Sequence, residues 1–357
     1  MNEGIFHKKD QPLIIAGPCS AETEKQVLET AQRLLKMGKV DILRAGIWKP
    51  RTSPGSFEGV GAKGLPWLKE AKIQTGIPLT VEVANAKHVE LCLEFGIDVL
   101  WIGARTTVNP FAVQEIADAL VGVNIPVMVK NPINPDLALW MGSVERIRKA
   151  GTKNIAVIQR GFSNLAEKYY RNRPQWQIAI EFKRQCPEVP IICDPSHICG
   201  RRDILKDVSQ KALDLDYDGL MIESHISPDD AWSDAAQQIT PETLGMMLGN
   251  LIVRDDYQDN APIQTHLEYL RKEIDNIDDE LVDLLNNRMK VAREIGQYKK
   301  ENNITILQAN RWNKIINRVC AKAEKVGLST DFVLRYIQSI HDESINQQEQ
   351  VMKESGE

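Results

Sequence analysis

The sequence predicts two domains of different class, a (β/α)8 TIM barrel over residues 1–252 and a small all-α helical domain over 265–357. Three observations carry this. Eight short apolar runs alternate with longer helix-like stretches up to about residue 250. The segment VRDDYQDNAPIQ, residues 253–264, is polar, carries a proline and breaks the alternation, as a linker does. Beyond it the spacing turns purely helical.

The eight runs are PLIIAG (12–17), DILRAG (41–46), PLTVEV (78–83), DVLWIGA (98–104), PVMVK (126–130), NIAVIQRG (154–161), PIICD (190–194) and GLMIES (219–224). Near-continuous Ile, Val and Leu over so few residues marks strands buried on both faces. The stretches between them, TEKQVLETAQRLLKMG and AKHVELCLEFG among them, read as helices that stop at glycine. Eight such units in about 250 residues fit a closed barrel; a doubly wound open sheet is the alternative, because sequence does not show closure. In the helical segment Leu270, Ile274, Ile277, Leu281 and Leu284 recur at spacings of four and three, and helical composition runs from about Thr265 to Asn302. A helix that long packs against partners in a bundle.

A net charge of −5 with 26% charged residues argues against a nucleic-acid binder that works by phosphate neutralisation. No run reaches membrane-spanning length and the N-terminus carries no signal-peptide pattern, so a cytoplasmic, soluble protein is expected. Six cysteines at irregular spacing read as reduced thiols, with Cys92, Cys186, Cys193, Cys199 and Cys320 as small apolar side chains.

Barrels of this class do their chemistry at the C-terminal strand ends. Reactive side chains collect there: Cys19 after the first run, Arg44 and Lys49 after the second, Arg105 after the fourth, Lys130 after the fifth, Arg160 after the sixth, Asp194 and His197 after the seventh, Glu223 and Asp234 after the eighth. Cys19, His197, Glu223 and Asp234 form a mixed sulfur, nitrogen and oxygen donor set suited to a divalent transition ion with one position open to substrate. The mix does not select the metal, since thiolate favours zinc or iron and carboxylates tolerate manganese; manganese, cobalt, zinc and iron(II) all stay open. Arg44, Lys49, Arg51, Arg105, Lys130 and Arg160 would crowd one cavity with positive charge, which implies phosphorylated and carboxylated substrates. Lys130 at a strand end also allows a Schiff base, which would leave the metal set idle.

The motifs AGPCS, LRAGIWKPRTSP, GARTTVNP, VMVKNP, IQRGF, CDPSH and IESH followed by AWSD resemble the metal-dependent 3-deoxy-D-arabino-heptulosonate 7-phosphate (DAHP) synthases, over nearly all of residues 10–250 and in order. The octulosonate phosphate synthases share the barrel and a GPC-type start, but KPRT followed by SP is the heptulosonate version. The resemblance implies condensation of phosphoenolpyruvate with erythrose 4-phosphate. It implies Cys19, His197, Glu223 and Asp234 as metal ligands, and Arg105 and Arg160 on the phosphate of phosphoenolpyruvate, with Arg44, Lys49 and Lys130 at its carboxylate end. Arg51 and Thr52 would take the phosphate of erythrose 4-phosphate, Pro50 and Asp194 would shape its pocket, and Lys49 would donate a proton to the aldehyde oxygen.

In the helical segment Arg288 and Arg311 interrupt apolar stripes, and Val333, Ile337 and Ile340 lead on one line to Ser344 and Gln348. Three helices bringing polar groups inward suggest a buried anion pocket. From Leu267 to Gln348 the segment resembles the all-helical chorismate mutases, with Arg271, Arg288, Lys299, Arg311, Ser344 and Gln348 at the motif positions. That resemblance implies chorismate and prephenate as ligands, no cofactor, Lys299 and Gln348 at the ether oxygen, and an intertwined homodimer in which Arg271 reaches the partner's pocket, with higher oligomers open. Gln308 and Trp312 depart from the family pattern, and an indole only donates where the family has a glutamate for the substrate hydroxyl. A bifunctional enzyme with feedback through the helical domain is therefore expected; the alternative is a mutase-like sensor and dimerisation domain without activity.

Overall fold

Two-residue alternation along short buried strands sorts the apolar side chains of the first unit into two cores. The computed structural model describes residues 4–6, 11–50, 55–163, 169–254 and 261–353. It divides into two compact units, Met1–Asp256 and Tyr257–Glu357. In the first, the strands β1 (Leu13–Gly17), β2 (Ile42–Arg44), β3 (Leu79–Val83), β4 (Val99–Ile102), β5 (Val127–Lys130), β6 (Ile155–Gln159), β7 (Ile191–Cys193) and β8 (Gly219–Glu223) close into a parallel barrel in chain order. Closure is made by β1 on β8, with Leu13 opposite Gly219 and Gly17 opposite Glu223. Leu13, Ile15, Ile42, Val99, Trp101, Met128, Ala156, Ile158, Ile192 and Met221 fill the interior together with Phe6. Their neighbours along the strands, such as Ile14, Leu43, Leu100, Val127, Val157 and Leu220, face the surrounding helices.

Those helices are α1 (Glu24–Met37), α2 (Gly64–Thr75), α3 (Ala86–Glu94), α4 (Ala104–Thr107), α5 (Pro110–Ala119), α6 (Leu137–Lys149), α7 (Trp176–Gln185), α8 (Pro195–Cys199), α9 (Leu205–Asp214) and α10 (Pro241–Gly249). Local sequence explains their ends. Thr23 caps α1 by accepting a hydrogen bond from the Gln26 N–H at 3.1 Å, and Gly38 closes it at φ +70°, the left-handed conformation that glycine adopts without strain. Trp140 of α6 is fully buried; its indole donates to the Val129 carbonyl at 3.1 Å and its ring lies 4.8 Å from that of Phe182.

The second unit is helical: α11 (Ala261–Glu301), α12 (Ala309–Lys325) and α13 (Thr330–Lys353). Helix α11 begins four residues before the expected Thr265, inside the stretch read as linker. Met289, Ala292 and Ile340 pack α11 on α13. Leu270, Ile274, Ile277, Leu281 and Leu284, expected to face a bundle core, are 42–64% exposed in the single chain. Among the described residues, no helix is long and apolar enough to cross a membrane.

Replacing Trp140 with alanine removes a buried ring and leaves the Val129 carbonyl without its indole donor. The expected cost is about 3–5 kcal/mol, read as a lower urea midpoint for the barrel's unfolding. A loss under about 1 kcal/mol would contradict this packing.

Candidate functional site

The same alternation that faces Ile42, Met128, Ile192 and Met221 inward turns Arg44, Lys130, Asp194 and Glu223, two residues further along, into the mouth of the barrel. Trp101 closes the layer beneath, with the Arg44 guanidinium 5.1 Å and the Lys130 ammonium 5.9 Å from its ring centre. Both distances suit cation–π attraction. Arg44 is 2% exposed and pairs with the fully buried Glu223 at 3.3 Å; Lys130 pairs with the fully buried Asp194 at 2.7 Å. The cleft above is lined by Arg44, Lys49, Pro50, Arg105, Lys130 and Arg160 on one side of its chemistry, and by Glu82, His197 and Asp234 on the other.

Electrostatics in this cleft reflect crowding. Burial, offset only in part by Asp194 and reinforced by Arg171 and Arg105, brings Arg160 down to about 10. Burial alone would push Asp194 up, yet His197 and Lys130 hold it well below the usual carboxylate range. Burial also lowers His197 despite nearby Asp194, so its imidazole is neutral at pH 7 with a lone pair to offer. A pocket in which cations outnumber their partners favours the entry of multivalent anions.

Cys19, Glu223 and Asp234 bring one donor atom each within 4.8 Å of one another. The Asp234 Oδ2 lies 3.3 Å from the Cys19 sulfur, and His197 Nε2 lies 3.8 Å from Glu223 Oε1. The Cys19, Glu223 and Asp234 atoms fit a divalent ion, whereas His197 approaches Glu223 but lies outside that three-residue group. Glu223 Oε1 is buried with the Arg44 guanidinium 3.3 Å away but with no well-formed hydrogen bond, a deficit that a bound cation would relieve. Burial, with Glu223 adding to it, pushes the Cys19 thiol up to about 12, so the thiol keeps its proton until a positive charge arrives. The Lys49 ammonium donates to the Cys19 sulfur and, at 3.1 Å, to its carbonyl.

The structure also adds to the sequence reading. Asp234 does not follow its strand directly: it sits well beyond Glu223 at φ 51°, ψ 37°, ahead of a short turn, and the returning loop carries it to the mouth. Strand β3, which supplied no candidate, contributes Glu82, whose carboxylate accepts from the Trp101 indole at 3.2 Å. A lone charge in the otherwise apolar PLTVEV was the available signal. Gly103 is the residue that makes room for it, since a Cβ there would fall 1.9 Å from Glu82 Oε1. Arg171 and Gln237, also missed, hydrogen-bond Asp234 and Glu223, and nothing in their local sequence marks them. Arg51 and Thr52 lie outside the described residues. The thiols of all six cysteines are free; Cys92, Cys193 and Cys199 are buried, whereas Cys186 and Cys320 are half-buried.

In the helical unit a cavity of about 330 Å³ is lined by Arg288, Lys299, Gln308, Arg311, Trp312, His341, Ser344 and Gln348 over an apolar floor. Helices α11 and α13 place the polar groups as the stripes predict. Arg288 donates to the Ser344 hydroxyl, and Lys299 to the Gln348 side-chain carbonyl at 3.1 Å. Burial lowers both Arg288 and Lys299. Arg271 is not among the lining residues: it is 63% exposed and pairs with Glu268 at 2.6 Å. Trp312 packs at 4.0 Å against His341, which sequence reasoning did not single out.

A family model described as the DAHP synthetase I family matches residues 1–253, and one described as chorismate mutase type II matches residues 270–349. A phospho-2-dehydro-3-deoxyheptonate aldolase of Thermotoga maritima is 36% identical over 226 residues, 63% of this chain and 64% of that relative's length. A 2-dehydro-3-deoxyphosphooctonate aldolase of Rhodopseudomonas palustris is 27% identical over 265 residues, 68% of this chain and 87% of the relative. The crystal structure of the Thermotoga maritima DAHP synthase aligns with a TM-score of 0.60 at 33% identity, covering 66% of this chain and 67% of that one. A truncated form of that synthase aligns with a TM-score of 0.58 at 30% identity, covering 66% and 84%.

Because the Cys19 thiol is protonated near pH 7, uptake of cobalt(II) by metal-free protein is expected to release about one proton and to tighten as pH rises. A near-ultraviolet sulfur-to-cobalt band should appear with binding and be missing from Cys19→Ala. Proton release and the band persisting unchanged in that variant would remove Cys19 from the site.

Proposed function

The chain belongs to the DAHP synthetase I family and its second unit carries a chorismate mutase type II domain; from that premise we propose a bifunctional enzyme. The barrel condenses phosphoenolpyruvate with erythrose 4-phosphate to DAHP and phosphate, and the helical domain rearranges chorismate to prephenate. The observation that carries the first activity is the convergence of Arg44, Lys49, Arg105, Lys130 and Arg160 beside the Cys19, Glu223 and Asp234 donors. The barrel spans residues 1–252, the linker 253–264 and the mutase 265–357 in this reading, with a cytoplasmic location.

Cys19, His197, Glu223 and Asp234 would hold a divalent ion, manganese in the first place, which would supply Lewis acidity toward the aldehyde. Arg105 and Arg160 grip the phosphate of phosphoenolpyruvate, and Arg44, Lys49 and Lys130 its carboxylate end, which fixes the methylene carbon against the aldehyde carbon. Pro50, Arg51, Thr52 and Asp194 hold erythrose 4-phosphate. As the methylene attacks, Lys49 gives a proton to the aldehyde oxygen; water then adds to the former enol carbon, and phosphate leaves from the hemiketal. Lys130 is engaged with Asp194 at 2.7 Å, which supports its use as a bound cation over a Schiff-base amine.

In the helical cavity Arg288 and Arg311, with Arg271 from a partner chain, hold the two carboxylates. Lys299 and Gln348 stabilise negative charge growing on the ether oxygen. The exposed stripe from Leu270 to Leu284 supports a homodimer, since an apolar face of that extent calls for cover. Chorismate or prephenate bound there would also inhibit the first reaction through a coupling between the domains. One observation favours the sensor alternative: none of the described residues lining the cavity is acidic, and Trp312 stands where the substrate hydroxyl would need an acceptor.

DAHP formation from the two substrates is expected with manganese and lost in EDTA; full activity in EDTA, with substrate trapped on Lys130 by borohydride, would overturn the metal reading. In the same preparations Arg288→Ala should slow chorismate loss by on the order of 100-fold and release the first reaction from prephenate inhibition. A parent chain that leaves chorismate untouched would establish the sensor instead.

A further inference from the structure

The four proposed metal ligands come from three separate parts of the chain, and a single dipeptide ties three of them together. Arg171 and Asn172 lie beside α8, where the Asn172 amide donates to the carbonyl of His197 at 2.7 Å and the backbone N–H groups of the pair donate to Cys199 and Ile198. Gly200, at φ +66°, permits this approach, since a Cβ there would fall 2.5 Å from that of Arg171. On the other side the Arg171 guanidinium donates to Asp234 Oδ1 at 3.1 Å and to Gln237 Oε1 at 2.6 Å. The amide of Gln237, only 1% exposed, donates in turn to Glu223 Oε2 at 2.8 Å.

These contacts divide the oxygens of both carboxylates. Asp234 gives Oδ1 to Arg171 and turns Oδ2 toward the Cys19 sulfur; Glu223 gives Oε2 to Gln237 and leaves Oε1 between the Arg44 guanidinium, at 3.3 Å, and His197 Nε2, at 3.8 Å. Each carboxylate therefore presents one oxygen to the centre of the cluster. Asn172 holds the backbone carbonyl of His197, while the ring's Nδ1 lies 2.8 Å from Asp194 Oδ2.

We propose that Arg171 and Gln237 are positioning residues that keep one oxygen each of Asp234 and Glu223 turned to the cluster, with Asn172 holding the His197 backbone, and thereby set the affinity of the site for its divalent ion. The reading rests on Cys19, His197, Glu223 and Asp234 being the metal ligands. Groups that orient ligands from outside commonly account for about 10–100-fold in metal affinity. Gln237 acts without charge of its own, so its contribution is orientation; Arg171 adds both orientation and a positive charge 3.1 Å from Asp234 Oδ1.

Direct titration of metal-free full-length protein with manganese(II), followed by electron paramagnetic resonance, tests this without relying on turnover. Arg171→Gln and Gln237→Leu should each weaken binding by about 10–100-fold, with Arg171→Lys recovering part of the loss. Thermal unfolding of each metal-free variant shows whether it is folded, and cobalt(II) visible absorption reports whether the coordination has changed. Parent protein that binds no ion, or binds equally well as Cys19→Ala, would sink the ligand assignment itself. A parent that binds through Cys19 while folded Arg171→Gln and Gln237→Leu bind equally tightly, with an unchanged cobalt spectrum, would overturn the positioning role alone.

Discussion

Closure of a parallel barrel forces every second side chain of every strand into one interior, and the chemistry of this protein depends on what that interior does at its upper end. Below, the alternating positions are Ile42, Met128, Ile192 and Met221; one step higher they are Arg44, Lys130, Asp194 and Glu223. Charges placed there have little water to solvate them, so they pair across the mouth and lie over the face of Trp101. Truncating one member of such a pair leaves an uncompensated buried charge, at a cost of about 3–5 kcal/mol. Each of these four charges has a partner of opposite sign in the structure.

Much of this was legible in the chain. All eight strands fall within the eight apolar runs, because burial on both faces leaves a near-continuous apolar run of strand length. Residues at the strand ends were equally legible, since the strand fixes their direction. Asp234 was legible only through its motif: a loop returns it, and loop paths are not written in periodicity. Arg171 and Gln237 were invisible for the same reason. Their importance lies in contacts with residues distant in sequence, and an arginine or glutamine in a polar stretch looks like any other surface residue.

The helical unit shows a different limit. Its spacing correctly placed Arg288, Lys299, Ser344 and Gln348 on facing stripes, and the cavity they line is built by one chain. The stripe from Leu270 to Leu284 was just as regular, yet its side chains are 42–64% exposed. Periodicity identifies an apolar face without saying what packs on it. Arg271, exposed within the same stretch, shares that ambiguity, and in a homodimer both would be resolved together.

The central claim is that one cluster at the barrel mouth joins a metal site to an anion cradle. It is tested most directly by crystals grown with manganese and phosphoenolpyruvate, using anomalous scattering to locate the ion. The account predicts an anomalous peak bonded to Cys19, His197, Glu223 and Asp234, with the phosphate of the substrate on Arg105 and Arg160. A peak elsewhere, or phosphoenolpyruvate bound away from those arginines, would contradict it.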